Sequence, residues 1–301
     1  MEMISNSTKR FIGAYTTIIT PFDEKNNIDE VSLRKLVEFQ ISSGVKRICP
    51  NGVTGEAAAL TDEEKIRVTE IVFDQSRGRA MVIPDIGTEC LQRTIDLAQR
   101  VEKIGVEAVL AFTPYLDPPT TRGMKEYFLA LADSISIPLM IHNLPGRTTI
   151  DISPQTVNEL AEHPRIIGIK EGNQDMVRMG NLISLVKNKD FVVLSGNDFM
   201  ALLTLLLGGH GHISVAANVI PRQSIAIVDA ALNNDFVTAR DLYTKYHDFF
   251  KGIYLSTNPI ALKSAFSLIH FDVGNPRLPL TPLEESKEDE LRHLLTQCEL
   301  I

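Results

Sequence analysis

The feature that most constrains the fold is an alternation. Short apolar, β-rich runs are each followed by a segment of helical periodicity, about eight times between residues 11 and 232. The runs fall at 11–20, 45–49, 80–84, 108–112, 139–141, 166–169, 191–194 and 211–215. The helical segments fall at 28–42, from a capping box at 61–64, then at 91–104, 121–134, 154–162, 174–186, 199–207 and 223–232. Strands that alternate with helices in this way build a parallel sheet. Roughly 220 residues for eight such units match a closed barrel better than an open sheet. No G-x-G-x-x-G follows the first run, which counts against a dinucleotide-binding fold. From Asp235 onward the pattern is helical only, at 236–250, 258–269 and 283–300. The expected fold is therefore α/β, a (β/α)8 TIM barrel over 11–232 with a C-terminal helical region over 233–301. Residues 1–10 read as a loose leader.

Chemistry concentrates in the stretch 139–173. Its two apolar runs each end in a functional side chain: His142, with Asn143 and Arg147 after it, and Lys170, followed by Glu171. In a barrel of parallel strands that rim is where active sites lie. A lysine at a buried strand end loses solvation, which disfavours its ammonium form. The neutral amine can attack a carbonyl and form a Schiff base. The competing reading is a strand-end lysine that reaches water or pairs with Glu171. His142 is a candidate acid/base because imidazole titrates near neutrality, or else a core histidine bonded to backbone. Arg147 offers a bidentate clamp for a carboxylate, or a surface ion pair.

The loop Gly52-Val53-Thr54-Gly55-Glu56 follows the second strand. Its glycines let backbone N–H groups face an anion, and the Thr54 hydroxyl adds a donor. It is either a holder of a small carboxylate or phosphate, or a tight strand-to-helix turn. His210 and His212 flank Gly211 and invite a metal reading, but no third ligand stands near them in sequence, so no metal is expected. The formal net charge of -8, with no long basic run, sets nucleic-acid binding aside. Three widely spaced cysteines, Cys49, Cys90 and Cys298, form no disulfide framework. The polar N-terminus and the absence of a bilayer-length apolar run make cytoplasmic localisation the expectation.

Taken together, TPFDEKNNID (20–29), GVTGEAAALTDEE (52–64), TPY (113–115), NLPGRT (143–148), IIGIKEGN (166–173), LSGND (194–198) and GGHGHISVAANV (208–219) resemble the dihydrodipicolinate synthase / N-acetylneuraminate lyase family of class I aldolases. The resemblance runs in the family's order over nearly the whole chain. It implies a barrel assembled as a homodimer or homotetramer, without cofactor, in which Lys170 forms a Schiff base with pyruvate or a related 2-oxo acid. It implies that Thr54 and the backbone of Val53 and Thr54 hold the pyruvate carboxylate, next to Gly55, with Ile213 lining the same pocket. In the synthase branch the arginine matching Arg147 holds the carboxylate of the second substrate, aspartate semialdehyde. Gly-Arg-Thr after Asn-x-Pro is closer to that branch than to the sialic acid lyases.

Three positions depart from the family pattern. A tyrosine that shuttles protons in the family is replaced by His142, a threonine by Val53, and a second tyrosine by Leu116. Of these, only His142 can transfer a proton. The expected activity is a Schiff-base lyase or synthase, with dihydrodipicolinate synthase as its best label. The alternatives are another 2-oxo acid aldolase or dehydratase of the family, a non-catalytic binder of 2-oxo or sugar acids, and, resting on His210 and His212 alone, a metal-dependent lyase.

Overall fold

The computed structural model describes residues 4–301. Its eight strands are β1 (Gly13–Thr17), β2 (Arg47–Cys49), β3 (Met81–Val82), β4 (Val109–Phe112), β5 (Leu139–Asn143), β6 (Ile166–Glu171), β7 (Val192–Ser195) and β8 (Gly211–Ser214). A short helix, α1 (Asn6–Lys9), precedes them. The helices between strands are α2 (Glu30–Ser42), α3 (Asp62–Ser76), α4 (Leu91–Ile104), α5 (Thr121–Asp133), α6 (Pro145–Thr148), α7 (Pro154–Leu160), α8 (Met176–Val186) and α9 (Ala201–Leu206). After β8 come α10 (Pro221–Leu232), α11 (Phe236–Gly252), α12 (Ile260–Leu268) and α13 (Glu285–Gln297).

Every strand pair is parallel, in the order β3-β2-β1-β8-β7-β6-β5-β4. A parallel bridge between Asp85 and Leu110 joins the two ends. The fold is thus the expected (β/α)8 barrel followed by helices. The two-residue β3 is shorter than the apolar run 80–84 suggests. Pro84 has no N–H to give the ladder, and the closure rests on Leu110 N donating to Pro84 O and Ile86 N donating to Leu110 O.

Strand side chains alternate between two apolar layers. Tyr15, Cys49, Leu110, Met140, Leu194 and Ile213 fill the barrel interior. Val109, Ala111, Leu139, Ile141 and Ile169 face outward against the helices. Each fully buried Val, Leu or Ile contributes about 1.5–3 kcal/mol, so burying both faces of the strands anchors the sheet. The same alternation points Phe112, His142 and Lys170 inward at the C-terminal ends of β4, β5 and β6. Helix starts follow local chemistry. Thr61 and Glu64 form the expected reciprocal capping box of α3, and Asp29 caps α2.

One expectation is corrected and one segment is filled in. The segment after His142, for which the sequence pattern gives no element, contains the helical turn α6, because Pro145 is pre-organised for a first helical position. Residues 4–10 are not a loose leader. Ile4 and Thr8 are buried, Ser5 caps α1, and the Ser5 backbone N–H and hydroxyl both bind Asp190. The first three residues of that leader lie outside the described ones. No helix among the described residues is long and apolar enough to cross a membrane.

Candidate active site

Lys170 is 6% exposed and makes no ion pair among the described residues. Burial pushes its ammonium pKa below the ordinary value, against the opposing pull of Asp85, Cys49 and Asp198. Glu171 is not its partner. Successive strand residues face opposite sides, and Glu171 turns outward to Arg178 at 3.0 Å and to the Asn143 amide at 2.8 Å. Two other lysines are also buried with depressed ammonium groups, Lys65 and Lys263. Lys65 lies on α3 and Lys263 on α12, where it pairs with Glu56. Lys170 alone of the three projects into the barrel.

His142 is fully buried and stands opposite Lys170 in the β5–β6 register. Its Nδ1 lies 2.6 Å from Asp85 Oδ2, and its ring stacks on Phe112 with centroids 4.4 Å apart. Its Nε2 is buried without a hydrogen-bond partner among the described residues. Burial, aided by the nearby Lys170, pushes its pKa down to about 4 despite Asp85. The unfolded chain binds that proton near pH 6.5, whereas the folded chain does not until about pH 4. Stability is therefore present above pH 6.5 and is lost as pH falls from 6.5 towards 4. The expected loss is on the order of 1–3 kcal/mol. Denaturant melts of the parent and of His142→Gln across this window check it: the variant is expected to show the shallower decline.

The loop after β2 carries the other candidates. Thr54 is buried, and its Oγ1 accepts a hydrogen bond from Asn258 Nδ2 at 3.0 Å. Gly55 allows the loop to fold onto the neighbouring backbone, since a Cβ there would lie 3.1 Å from Ile18 O. Glu56 anchors the loop from behind through Lys263 at 2.6 Å and the Arg277 backbone N–H at 2.8 Å. Ile213 lies in the barrel interior on β8.

Above these groups opens a cavity of about 550 Å³, walled by Val53, Phe112, Leu116, Arg147, Thr148 and Asn258 among others. Lys170 is not in its wall but sits in the barrel interior. Arg147, on α6 at the cavity wall, is exposed and makes no ion pair among the described residues. Its guanidinium is free for a carboxylate. Lys170, His142, Thr54, Gly55, Val53, Arg147 and Ile213 thus gather at one end of the barrel.

His210 and His212 do not join them as a metal pair. His210 Nδ1 accepts from Val193 N, while His212 bonds Ser195 O and Asp198 Oδ1, each at 3.0 Å. Sequence reasoning missed Asp85 and Asn258. Asp85 had a legible signal, a carboxylate just past a strand. Asn258 had none, because it arrives from a C-terminal segment 204 residues away from Thr54.

The sequence profile of the Dihydrodipicolinate synthetase family matches residues 10–298. A 4-hydroxy-tetrahydrodipicolinate synthase of Thermodesulfovibrio yellowstonii is 40% identical over 291 residues, covering 97% of this chain and 99% of the relative. A dihydrodipicolinate synthase of Acinetobacter baumannii, solved with pyruvate, superposes with TM-score 0.94 at 34% identity, covering 96% of this chain and 99% of that one. A monomeric dihydrodipicolinate synthase variant superposes with TM-score 0.94 at 31% identity, covering 98% and 99%. This chain, with its buried amine inside a parallel barrel, belongs to the dihydrodipicolinate synthetase family.

Proposed function

We propose that this protein is a Schiff-base lyase of the class I aldolase type and acts as a 4-hydroxy-tetrahydrodipicolinate synthase, condensing pyruvate with aspartate semialdehyde. The observation that carries the reading is Lys170: a buried amine, unpaired among the described residues, pointing into the barrel beside His142. Lys170 Nζ attacks the ketone of pyruvate, and water leaves as the imine forms. Thr54, whose oxygen accepts one hydrogen bond from Asn258, donates to the pyruvate carboxylate, assisted by the backbone of Val53 and Thr54. Gly55 keeps that loop close, and Ile213 bounds the methyl side. The imine withdraws electrons from the neighbouring methyl, which loses a proton and attacks the aldehyde. His142 is the group that moves the proton. Neither a metal nor an organic cofactor enters this chemistry.

Arg147 holds the carboxylate of the aldehyde substrate. Arg147→Leu is expected to raise KM for aspartate semialdehyde about 10- to 100-fold, the value of one charge-assisted hydrogen bond. Trapping of pyruvate on Lys170 by borohydride is expected to stay within about twofold of the parent. Initial rates over both substrates, with the trapping assay alongside, check this.

The reading is tested by incubating the protein with pyruvate and aspartate semialdehyde and following product by mass spectrometry. Turnover supports it. Imine formation without turnover favours the second reading, another 2-oxo acid aldolase or dehydratase of the family. That alternative is motivated by Val53 and Leu116, which carry no hydroxyl at the cavity wall. Imine formation with no aldehyde or sugar acid turned over favours a binding protein. We further propose a cytoplasmic homodimer or homotetramer, with a monomer as the contrary result in sedimentation, since monomeric relatives exist.

A further inference from the structure

His142 and His212 are both buried histidines on barrel strands, and they are held in different ways. His212 has each ring nitrogen bonded to protein, one to Ser195 O and one to Asp198. That is how a structural histidine is satisfied in this fold. His142 has one nitrogen bonded, to Asp85, and the other buried without a partner among the described residues. A buried ring nitrogen without a partner is costly, so one that persists calls for an explanation.

Asp85 and His142 are 57 residues apart in sequence and both buried. Asp85 sits on the bridge that closes the barrel: its neighbours Pro84 and Ile86 bond Leu110, its own N–H donates to Pro50 O, and its Oδ1 accepts from Gly87 N. It is therefore held by the closure of the sheet. Gly87 is itself required there, because a Cβ would come within 2.3 Å of Phe112 N. The Phe112 ring lies 25° from parallel to the imidazole and restrains its plane. Three strand ends thus fix the imidazole in position and in orientation. The charged or titratable groups that act on this imidazole are Lys170 and Asp85, and those that act on Lys170 are Asp85, Cys49 and Asp198.

We propose that Asp85 is a positioning residue that fixes His142 as the Nδ1-protonated tautomer, so that the unpartnered Nε2 is the base for the methyl group of the imine on Lys170. A carboxylate only accepts, so Nδ1 donates and Nε2 keeps its lone pair. The step balances. Nε2 takes a proton from the imine methyl, and the C–H pair becomes the C=C of the enamine as the iminium nitrogen loses its charge. The imidazolium that forms is stabilised by Asp85. The enamine then attacks the aldehyde carbon, and the imidazolium returns its proton to the new alkoxide. This rests on the Schiff-base reading above and adds to it the pair that replaces a hydroxyl relay.

The test uses the full-length chain and two readouts. First, nitrogen NMR of histidine-labelled protein at neutral pH, with His142 assigned by His142→Gln, is expected to show a proton on Nδ1 and none on Nε2. A proton on Nε2 in the parent overturns the proposal, whatever the substrate and however the variants behave. Second, Asp85→Asn keeps the size of the side chain and removes its charge. Deuterium exchange into the pyruvate methyl is expected to fall about 10²-fold. Borohydride trapping of pyruvate on Lys170 is expected to hold within about twofold of the parent. Exchange within about twofold of the parent overturns the positioning role. No trapping in the parent overturns the Schiff-base reading instead, and the NMR tautomer still decides the role of Asp85.

Discussion

Lys170→Ala is expected to lower kcat for condensation by on the order of 10⁴-fold or more, and to abolish covalent capture of pyruvate. The size follows from the chemistry, because without the amine there is no imine and no acidified methyl. Nothing beside it substitutes. Asp85 and Cys49 are not amines, and Lys263 is committed to Glu56; Lys65 reaches the cavity wall from α3, outside the barrel interior where Lys170 stands beside His142. The fold is expected to tolerate the change, since a buried lysine with a depressed ammonium contributes little beyond the packing of its stem. A thermal midpoint close to the parent's or above it, together with absent turnover, is the expected pair of results. Turnover within tenfold of the parent contradicts the assignment.

The second large effect is on stability and lies at the back of the loop after β2. Lys263 on α12 is 2% exposed and pairs with buried Glu56 at 2.6 Å. Its Nζ also donates to Asn275 O and lies 4.3 Å from the Phe22 ring centroid. Lys263→Ala leaves the Glu56 carboxylate buried without its cation. The expected cost is about 3–5 kcal/mol, because breaking one side of a buried ion pair strands the other charge. Glu56 follows Gly55 directly, so the loop proposed to hold the pyruvate carboxylate is expected to loosen as well. Urea unfolding measures the first effect and the KM for pyruvate the second. A loss below about 1 kcal/mol contradicts this account of the pair.

Much of this architecture is legible in the residues. The two periodicities place eight strand–helix units in order, and the capping box at Thr61 and Glu64 forms as read. Ile166 to Lys170 announces a buried strand with a charge at its end. What is not legible is whatever depends on closing the barrel. The Asp85–His142 contact requires β3, β4 and β5 to meet, and only one bridge, at Leu110, marks the first of those junctions. Asn258 reaches Thr54 from the C-terminal segment, and Lys263 reaches Glu56 from α12, over separations that no local pattern encodes. The N-terminal segment misleads for a related reason. Its polar surface residues hide Ile4 and Thr8, whose burial depends on contacts far away in sequence, as the Ser5–Asp190 bonds illustrate. The histidine pair at 210 and 212 is the converse case. Spacing suggests a shared ligand, while strand geometry gives each ring its own protein partner.

The central claim is that Lys170 forms an imine with a 2-oxo acid. Intact-mass analysis and peptide mapping after incubation with pyruvate and sodium borohydride test it most directly. The account predicts one reduced pyruvate adduct per chain, on Lys170, and none in Lys170→Ala. No adduct, or an adduct on Lys65 or Lys263 in place of Lys170, contradicts it.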